Sequence, residues 1–375
     1  MIKILIGGDV YPMGRIQNEF VEGNAHEIFH DLLEEIANAD LSVVNLESPL
    51  VSHETPIVKV GPVLGSNTKC IEGFSAAKWR ILNLANNHIF DHGASGLQET
   101  IQTIEKAGLS FVGAGLNLKE AQKPLIREIN GQRITIYSMA EREFSIAGEK
   151  TPGANPLDII NFIHAIRRYK QDGIFIVLIH GGNEYYAYPS PEMVRRCRFM
   201  IEMGADAVIS CHTHCPLPWE IYADRPIIYG LGNLIFDATR KEPDEWHEGY
   251  LAKLTFDDRQ IRFEAVPYFQ SKERPGAQKM DQTSQTRFFK KMQEKNEEVK
   301  DSARIENRWI QYCRQQQDKY LSELFGYNRL MRKLRRSLLK TLHSKESVLQ
   351  SLLLVQCEAH REILTTILED YSQLE

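Results

Sequence analysis

The sequence has no apolar run near the ~20 residues needed to cross a bilayer. It opens on a strand-like segment, Met1–Gly8, with no charged, apolar and small-residue leader. The expectation is a cytoplasmic protein without a transmembrane segment, for which envelope association would need an anchor or partner outside these residues. Excess charge of either sign is missing too. Lys and Arg number 45 against 50 Asp and Glu, a formal charge of −5, which makes no case for nucleic-acid binding. Cysteine is scarce: six residues, at 70, 197, 211, 215, 313 and 357, suggest no disulfide framework. Cys211-His212-Thr213-His214-Cys215 has the look of a zinc knuckle. In an extended strand end, however, His212 and His214 point one way and Cys211, Thr213 and Cys215 the other. The histidines are therefore read as ligands and the cysteines as packing residues. A dinucleotide fingerprint is also absent, because Gly113 and Gly115 have no third glycine at the required spacing.

What is present is a series of apolar runs that stop in polar residues. Lys3–Gly8 stops at Asp9, and Leu41–Leu46 stops at Glu47 ahead of Pro49. Trp79–Ala85 gives way to Asn86-Asn87-His88, with Asp91 and Gly93 closing the turn. Gly173–Ile179 ends at His180-Gly181-Gly182, Ala205–Ser210 delivers His212 and His214, and Arg225–Leu231 ends in Gly232-Asn233. Segments with helical spacing, Val21–Ala39, Leu97–Lys106, Leu157–Lys170 and Glu192–Met203, alternate with these strands. The alternation implies an α/β sandwich on a largely central sheet.

Ligands in open α/β sheets sit at the carboxyl ends of the strands. Asp9, Glu47, Asn87, His180 and the pair His212/His214 each follow a separate strand there. That mix of oxygen and nitrogen donors suits one or two divalent ions of Mn, Zn or Fe character. Two such ions ~3.5–4 Å apart could share a hydroxide and polarise a phosphoryl or acyl oxygen. His88 is placed to be a general acid oriented by Asp91.

This order of motifs resembles the CapA family, poly-γ-glutamate capsule-synthesis proteins whose fold is similar to that of calcineurin-like metallophosphatases. The resemblance rests on Gly8-Asp9 with Arg15, Asn45-Leu46-Glu47, Leu84-Ala-Asn-Asn-His88 with Asp91 and Gly93, and His180-x-Gly182-x-Glu184-Tyr185. It continues through Gly204-Ala-Asp206 with His212-x-His214 and Leu231-Gly-Asn233, so it covers roughly residues 1–270. It implies a metallophosphatase-like sandwich with one metal on Asp9, Glu47 and His214 and another on Glu47, Asn87, His180 and His212. The Asp-x-His opening of the broader pattern is here Asp9-Val10-Tyr11, so one histidine is absent, and Glu47 stands for a bridging Asp. Arg15, expected to clamp an anionic group, joins Glu184, Tyr185 and Asn233 as substrate contacts. The function implied is capsule or exopolymer synthesis through metal-dependent hydrolysis of a phosphoester or related anionic bond on a small molecule or polymer. The alternatives are a non-catalytic polymer-binding or assembly protein and a γ-glutamyl amide hydrolase or transferase.

The composition shifts after the core. Pro275 is the last proline, and Lys279–Lys300 is rich in Gln, Lys, Glu and Asp. Residues 1–270 are expected as the catalytic domain, 271–300 as a linker and 301–375 as a helical extension. Leucines at 330, 334 and 338 and the run Leu349–Leu354 suit homo-oligomer formation through those helices.

Overall fold

The computed structural model describes residues 1–59, 61–237, 242–257 and 260–324, with side chains described to residue 315. Two compact units divide the chain, Met1–Asn307 and Arg308–Glu375. In the second unit the described part is helical to Leu324, and the leucine runs beyond it lie outside the described residues.

The first unit starts one sheet with four strands, β1 (Ile2–Tyr11), β2 (Leu41–Leu46), β3 (Ile81–Asn83) and β4 (Ser110–Val112). A second sheet follows from β5 (Leu125–Ile129), β6 (Gln132–Ala140), β7 (Ile174–His180), β8 (Ala207–Cys211), β9 (Trp219–Tyr222) and β10 (Arg225–Ile228). The chain then returns to the first sheet with β11 (Asn233–Phe236), β12 (Glu248–Asp257), β13 (Gln260–Gln270) and β14 (Ala277–Lys279). The longer helices are α1 (Gly93–Lys106), α2 (Ile159–Tyr169), α3 (Pro191–Glu202), α4 (Gln282–Val299) and α5 (Ser302–Leu324).

In the first sheet the order is β14-β13-β12-β1-β2-β3-β4, with β11 also alongside the far end of β1. The second sheet runs β9-β10-β8-β7-β6-β5. The central strands β1, β2, β3 and β4 are mutually parallel, as are β6, β7, β8 and β10. Their carboxyl ends therefore gather at one edge of each sheet. The expected α/β sandwich is thus built on two sheets packed face to face.

Burial shows why these segments become strands. Ile4, Ile6 and Val43 of the first sheet share an apolar layer with Ile136, Ile176 and Ile209 of the second. Leu5, Val44 and Leu82 point the other way, onto Phe20, Phe29, Leu97 and Ile104. On the outer face of the second sheet, Val177 and Val208 meet Phe162 of α2 and Met193 and Met200 of α3. Strands buried on both faces must read as continuous apolar runs rather than alternating ones. The result is a four-layer α/β/β/α sandwich.

Local chemistry sets the boundaries. Asn130 (φ 53) and Gly131 (φ 74) make a two-residue turn between β5 and β6. The Ser190 hydroxyl accepts from the Met193 N–H and caps α3, with Pro191 at its first position. The helix expected over Val21–Ala39 is broken instead into short turns, at Gly23 (φ 71) and His30 (φ 41).

The expected linker over 271–300 needs correcting. Residues 277–279 are a sheet strand, and α4 belongs to the first unit. Phe288 (3% exposed) and Met292 (0%) fill the inter-sheet layer, and Val299 enters the outer one. A stripe at 288, 292, 295 and 299 on an otherwise polar helix reads as solvent-exposed by composition alone. Burying one such apolar side chain still stabilises the fold by roughly 1.5–3 kcal/mol. Among the described residues no helix is long and apolar enough to cross a membrane.

Candidate metal centre

The first sheet brings two carboxylates to its carboxyl edge. β1 carries Asp9, fully buried, past a register shift between Gly7 and Asp9. Gly8 permits this path: a Cβ there would lie 2.0 Å from the Gly232 main-chain oxygen, so a side chain would push β1 off the segment behind it. Asp9 Oδ1 accepts from Asn45 Nδ2 at 2.7 Å, and Oδ2 accepts the His212 N–H at 2.9 Å from the other sheet. Burial pushes the Asp9 carboxyl up to about 7, and the Glu47 charge adds to the rise against the pull of His214.

Glu47 follows β2 directly and is 0% exposed. Neither carboxylate oxygen has a hydrogen-bond partner among the described residues. Burial pushes this carboxyl up to about 8, and Glu184, Glu143 and Asp91 add to the rise. An unsatisfied buried carboxylate is costly, a cost that a bound cation would offset.

The second sheet supplies imidazoles. His180 ends β7, and its Nε2 lies 3.0 Å from Asn87 Oδ1, 3.1 Å from His212 Nδ1 and 3.5 Å from Glu47 Oε1. Burial, the leading cause for each, holds His180 and His212 well below the usual histidine value and keeps both rings neutral. Several acceptor atoms therefore converge with too few protons to share. Two donor sets result, Glu47 with His180 and His212, and Asp9 with Glu47 and His214; in each, the ligand atoms lie within 4.8 Å of one another. Neutral imidazoles and orphaned carboxylate oxygens suit a divalent ion such as Zn, Mn or Fe.

The histidine pair reaches these sets by a different route from the expected strand alternation. β8 ends at Cys211, and His212 (φ 99) and His214 (φ 56) both take left-handed backbone. Such strain in non-glycine residues is characteristic of functional sites. It sends the two rings into different donor sets, with centroids 6.2 Å apart. Cys211 and Cys215 are free and buried, the packing role expected of them.

His88 lies beside the sets with Nδ1 2.6 Å from Asp91 Oδ2. Its turn is held by Asn86, whose Oδ1 accepts the His88 N–H and whose Nδ2 donates to the Leu46 oxygen. The expected substrate contacts separate. Arg15 does not support the role of an anion clamp: its Nη2 lies 2.6 Å from Asp237 Oδ1, and its Nε is 3.1 Å from both Asp237 oxygens. Asn233 Oδ1 lies 2.8 Å from His214 Nδ1 and so orients that ring. Glu184 is exposed. Tyr185 (φ 60) stacks on Trp246 at 5.8 Å, with its ring 6.0 Å from His214.

Sequence reasoning missed three residues at this site. Asn45 bridges Asp9 and Asn83, with its Nδ2 also 3.3 Å from His180 Nδ1. Glu143 accepts from Asn87 Nδ2 at 3.2 Å and lies 3.8 Å from His212 Nε2. Lys59 pairs with Asp91 at 2.6 Å. Only Asn45, two residues before Glu47, had a signal in the sequence.

Residues 3–238 match the model of the family described as bacterial capsule synthesis protein PGA_cap. The chain is 29% identical over 241 residues to the capsule biosynthesis protein CapA of Bacillus anthracis, covering 61% of this chain and 58% of that protein. It is also 29% identical over 295 residues to the PGA biosynthesis protein CapA of Bacillus subtilis (strain 168), covering 76% of each. Among solved structures, a crystal structure of a 5′-nucleotidase from Candida albicans SC5314 aligns with a TM-score of 0.41 at 10% identity, covering 84% of this chain and 58% of that one.

Proposed function

The chain belongs to the bacterial capsule synthesis protein family PGA_cap, and from that premise we propose that it is a metal-dependent hydrolase. Its substrate would be a phosphoester or related anionic bond in the making of a capsule polymer of the poly-γ-glutamate type. The observation that carries this reading is Glu47, buried between two donor sets with neither oxygen hydrogen-bonded among the described residues. Asp9, Glu47 and His214 would hold one ion, and Glu47, His180, His212 and Asn87 Oδ1 another. When bound, a divalent ion supplies Lewis acidity toward an anionic oxygen and a water acidic enough to be a nucleophile near neutral pH.

The rest of the work falls to the chain itself. His88 is held by Asp91 through Nδ1, which leaves Nε2 to give a proton to the departing oxygen. Asn233 fixes the His214 ring, Glu143 fixes the Asn87 amide, and the buried walls exclude water. A second reading, hydrolysis or transfer at a γ-glutamyl amide, is favoured by the relative named for PGA biosynthesis. The same groups would serve it, with His88 protonating nitrogen.

Protein purified without chelator, assayed for metal and screened on phosphomonoesters, phosphodiesters and γ-glutamyl oligomers, tests both. Turnover that stops on chelation and in Glu47→Ala is expected, and the class of bond cleaved chooses between the readings. A protein that takes up no divalent ion overturns both.

A further inference from the structure

Among the described residues from Ser52 to Leu64 there is no helix or strand. Irregular stretches of this length are uncommon in compact domains and tend to be functional. Much of it is exposed, Val58 by 94%, yet the Lys59 side chain is only 2% exposed. A lysine is rarely buried unless paired. Its ammonium lies 2.6 Å from Asp91 Oδ1, 3.5 Å from the Asn87 main-chain oxygen and 3.4 Å from His88 Nδ1. The Phe144 ring is 5.9 Å from the same ammonium.

Asp91 divides its two oxygens. Oδ1 serves Lys59, while Oδ2 serves His88 Nδ1 at 2.6 Å and the Leu64 N–H at 2.7 Å. The Ile57 N–H donates to the Asp91 main-chain oxygen, and the Thr55 N–H to His92 Nδ1. The contacts that fasten the middle of the segment therefore land on Asp91 and its neighbour. Lys59 supplies the one charge among them.

The geometry points to Lys59 as a positioning residue: it clasps segment 52–64 onto the Asn87–Asp91 turn and fixes the Asp91 carboxylate that orients the His88 ring. This rests on the proposal that His88 protonates the leaving group. Without the ammonium, Oδ1 loses its partner and the carboxylate is free to swing, so His88 and the Leu64 amide compete for whichever oxygen faces them. The ring then loses its fixed direction, and the segment loses its fastening. A direct clamp on substrate is the rival role. It fits poorly with an ammonium turned inward, 2% exposed and already held by Asp91.

Lys59→Met keeps the length and removes the charge, and Lys59→Arg restores it. Both are compared with the metal-loaded full chain on phenyl phosphate and 4-nitrophenyl phosphate. On phenyl phosphate, whose leaving group needs a proton, the Met variant is expected to lose ~10²-fold in kcat, the scale of a misplaced catalytic group. On 4-nitrophenyl phosphate the loss should stay under about threefold, since no proton is needed there. KM and metal content should hold, and the Arg variant should recover much of the loss. An equal fall on both esters, or a rise in KM at constant kcat, overturns the positioning role.

Amide hydrogen exchange gives a readout independent of activity. In Lys59→Met, Ile57 and Leu64 should exchange at least roughly tenfold faster, while the β2 amides stay protected as evidence of an intact fold. Unchanged protection at Ile57 and Leu64 overturns the clasp. If the wild-type protein cleaves neither ester, phosphomonoester hydrolysis fails as a reading while exchange still decides the clasp.

Discussion

Removing the charge of Glu47 should weaken the response of the metal-free protein to rising pH. Burial takes this carboxyl from 4.5 in the unfolded chain to about 8 in the fold. Because the folded chain holds that proton more tightly, the stabilising contribution is complete below pH 4.5 and is lost as pH rises to about 8. Below about pH 6.5 the depressed His180 and His212 oppose this, because unfolding lets them take up protons. Above it, at about 1.4 kcal/mol per pH unit, the Glu47 loss up to pH 8.5 is on the order of 2 kcal/mol. Asp9, pushed up to about 7 in part by the Glu47 charge, titrates in the same window, so the two losses overlap rather than add. For a unit of this size, ~2–3 °C per kcal/mol gives a fall in Tm on the order of 5 °C. The assay is thermal denaturation in chelator at pH 6.5 and 8.5, repeated with added Mn²⁺ or Zn²⁺. Wild type should melt lower at pH 8.5 in chelator and recover with metal. Glu47→Gln carries no charge to bury and relieves Asp9 only in part, since burial still raises that carboxyl, so its Tm should fall less with pH than wild type and recover less with metal. A flat wild-type profile in chelator, or the same fall in the Gln variant, would refute the reasoning.

His180→Ala and His212→Ala should each lower bound metal measured by mass spectrometry, and His214→Ala should remove one ion while sparing the other; full metal content in all three would clear these rings of the role. His88→Ala should cut kcat by ~10²–10⁴-fold on a poor leaving group, with metal content near wild type; equal loss of metal would make His88 a ligand instead. A chain ending at residue 307 should fold with a cooperative melt, whereas one ending at residue 280 should not, because it strips Phe288 and Met292 from the inter-sheet layer. Circular dichroism of the two truncations decides this, and a stable shorter chain would restore 271–300 to the status of a linker.

The strand ends were legible because burial on both faces forces an unbroken apolar run. The first polar residue after such a run marks the sheet edge, as Asp9, Glu47 and His180 do. The division into two sheets was not legible, since β4 and β6 read alike whichever sheet they join. Side-chain direction beyond a strand end was also hidden. Arg15 turns to Asp237, 222 residues away in sequence, and the left-handed turn that separates His212 from His214 follows no alternation rule. Lys59 gave no signal at all. It sits in a segment without periodicity, and its partner Asp91 lies 32 residues further on.

The six donors come from both halves of the sandwich. Asp9, Glu47 and Asn87 follow strands of the first sheet, and His180, His212 and His214 follow strands of the second. At the opposite edge, where those strands begin, the halves meet through aliphatic side chains such as Ile2, Ile134 and Ile174. Greasy contacts of that kind slide, whereas coordination does not. An ion held there, as proposed, would fasten the sandwich along one edge as a spine binds a book. Chelation should shorten the folded lifetime against a protease well before the resting secondary structure changes, so the persistence of the protein would follow the metal supply around it.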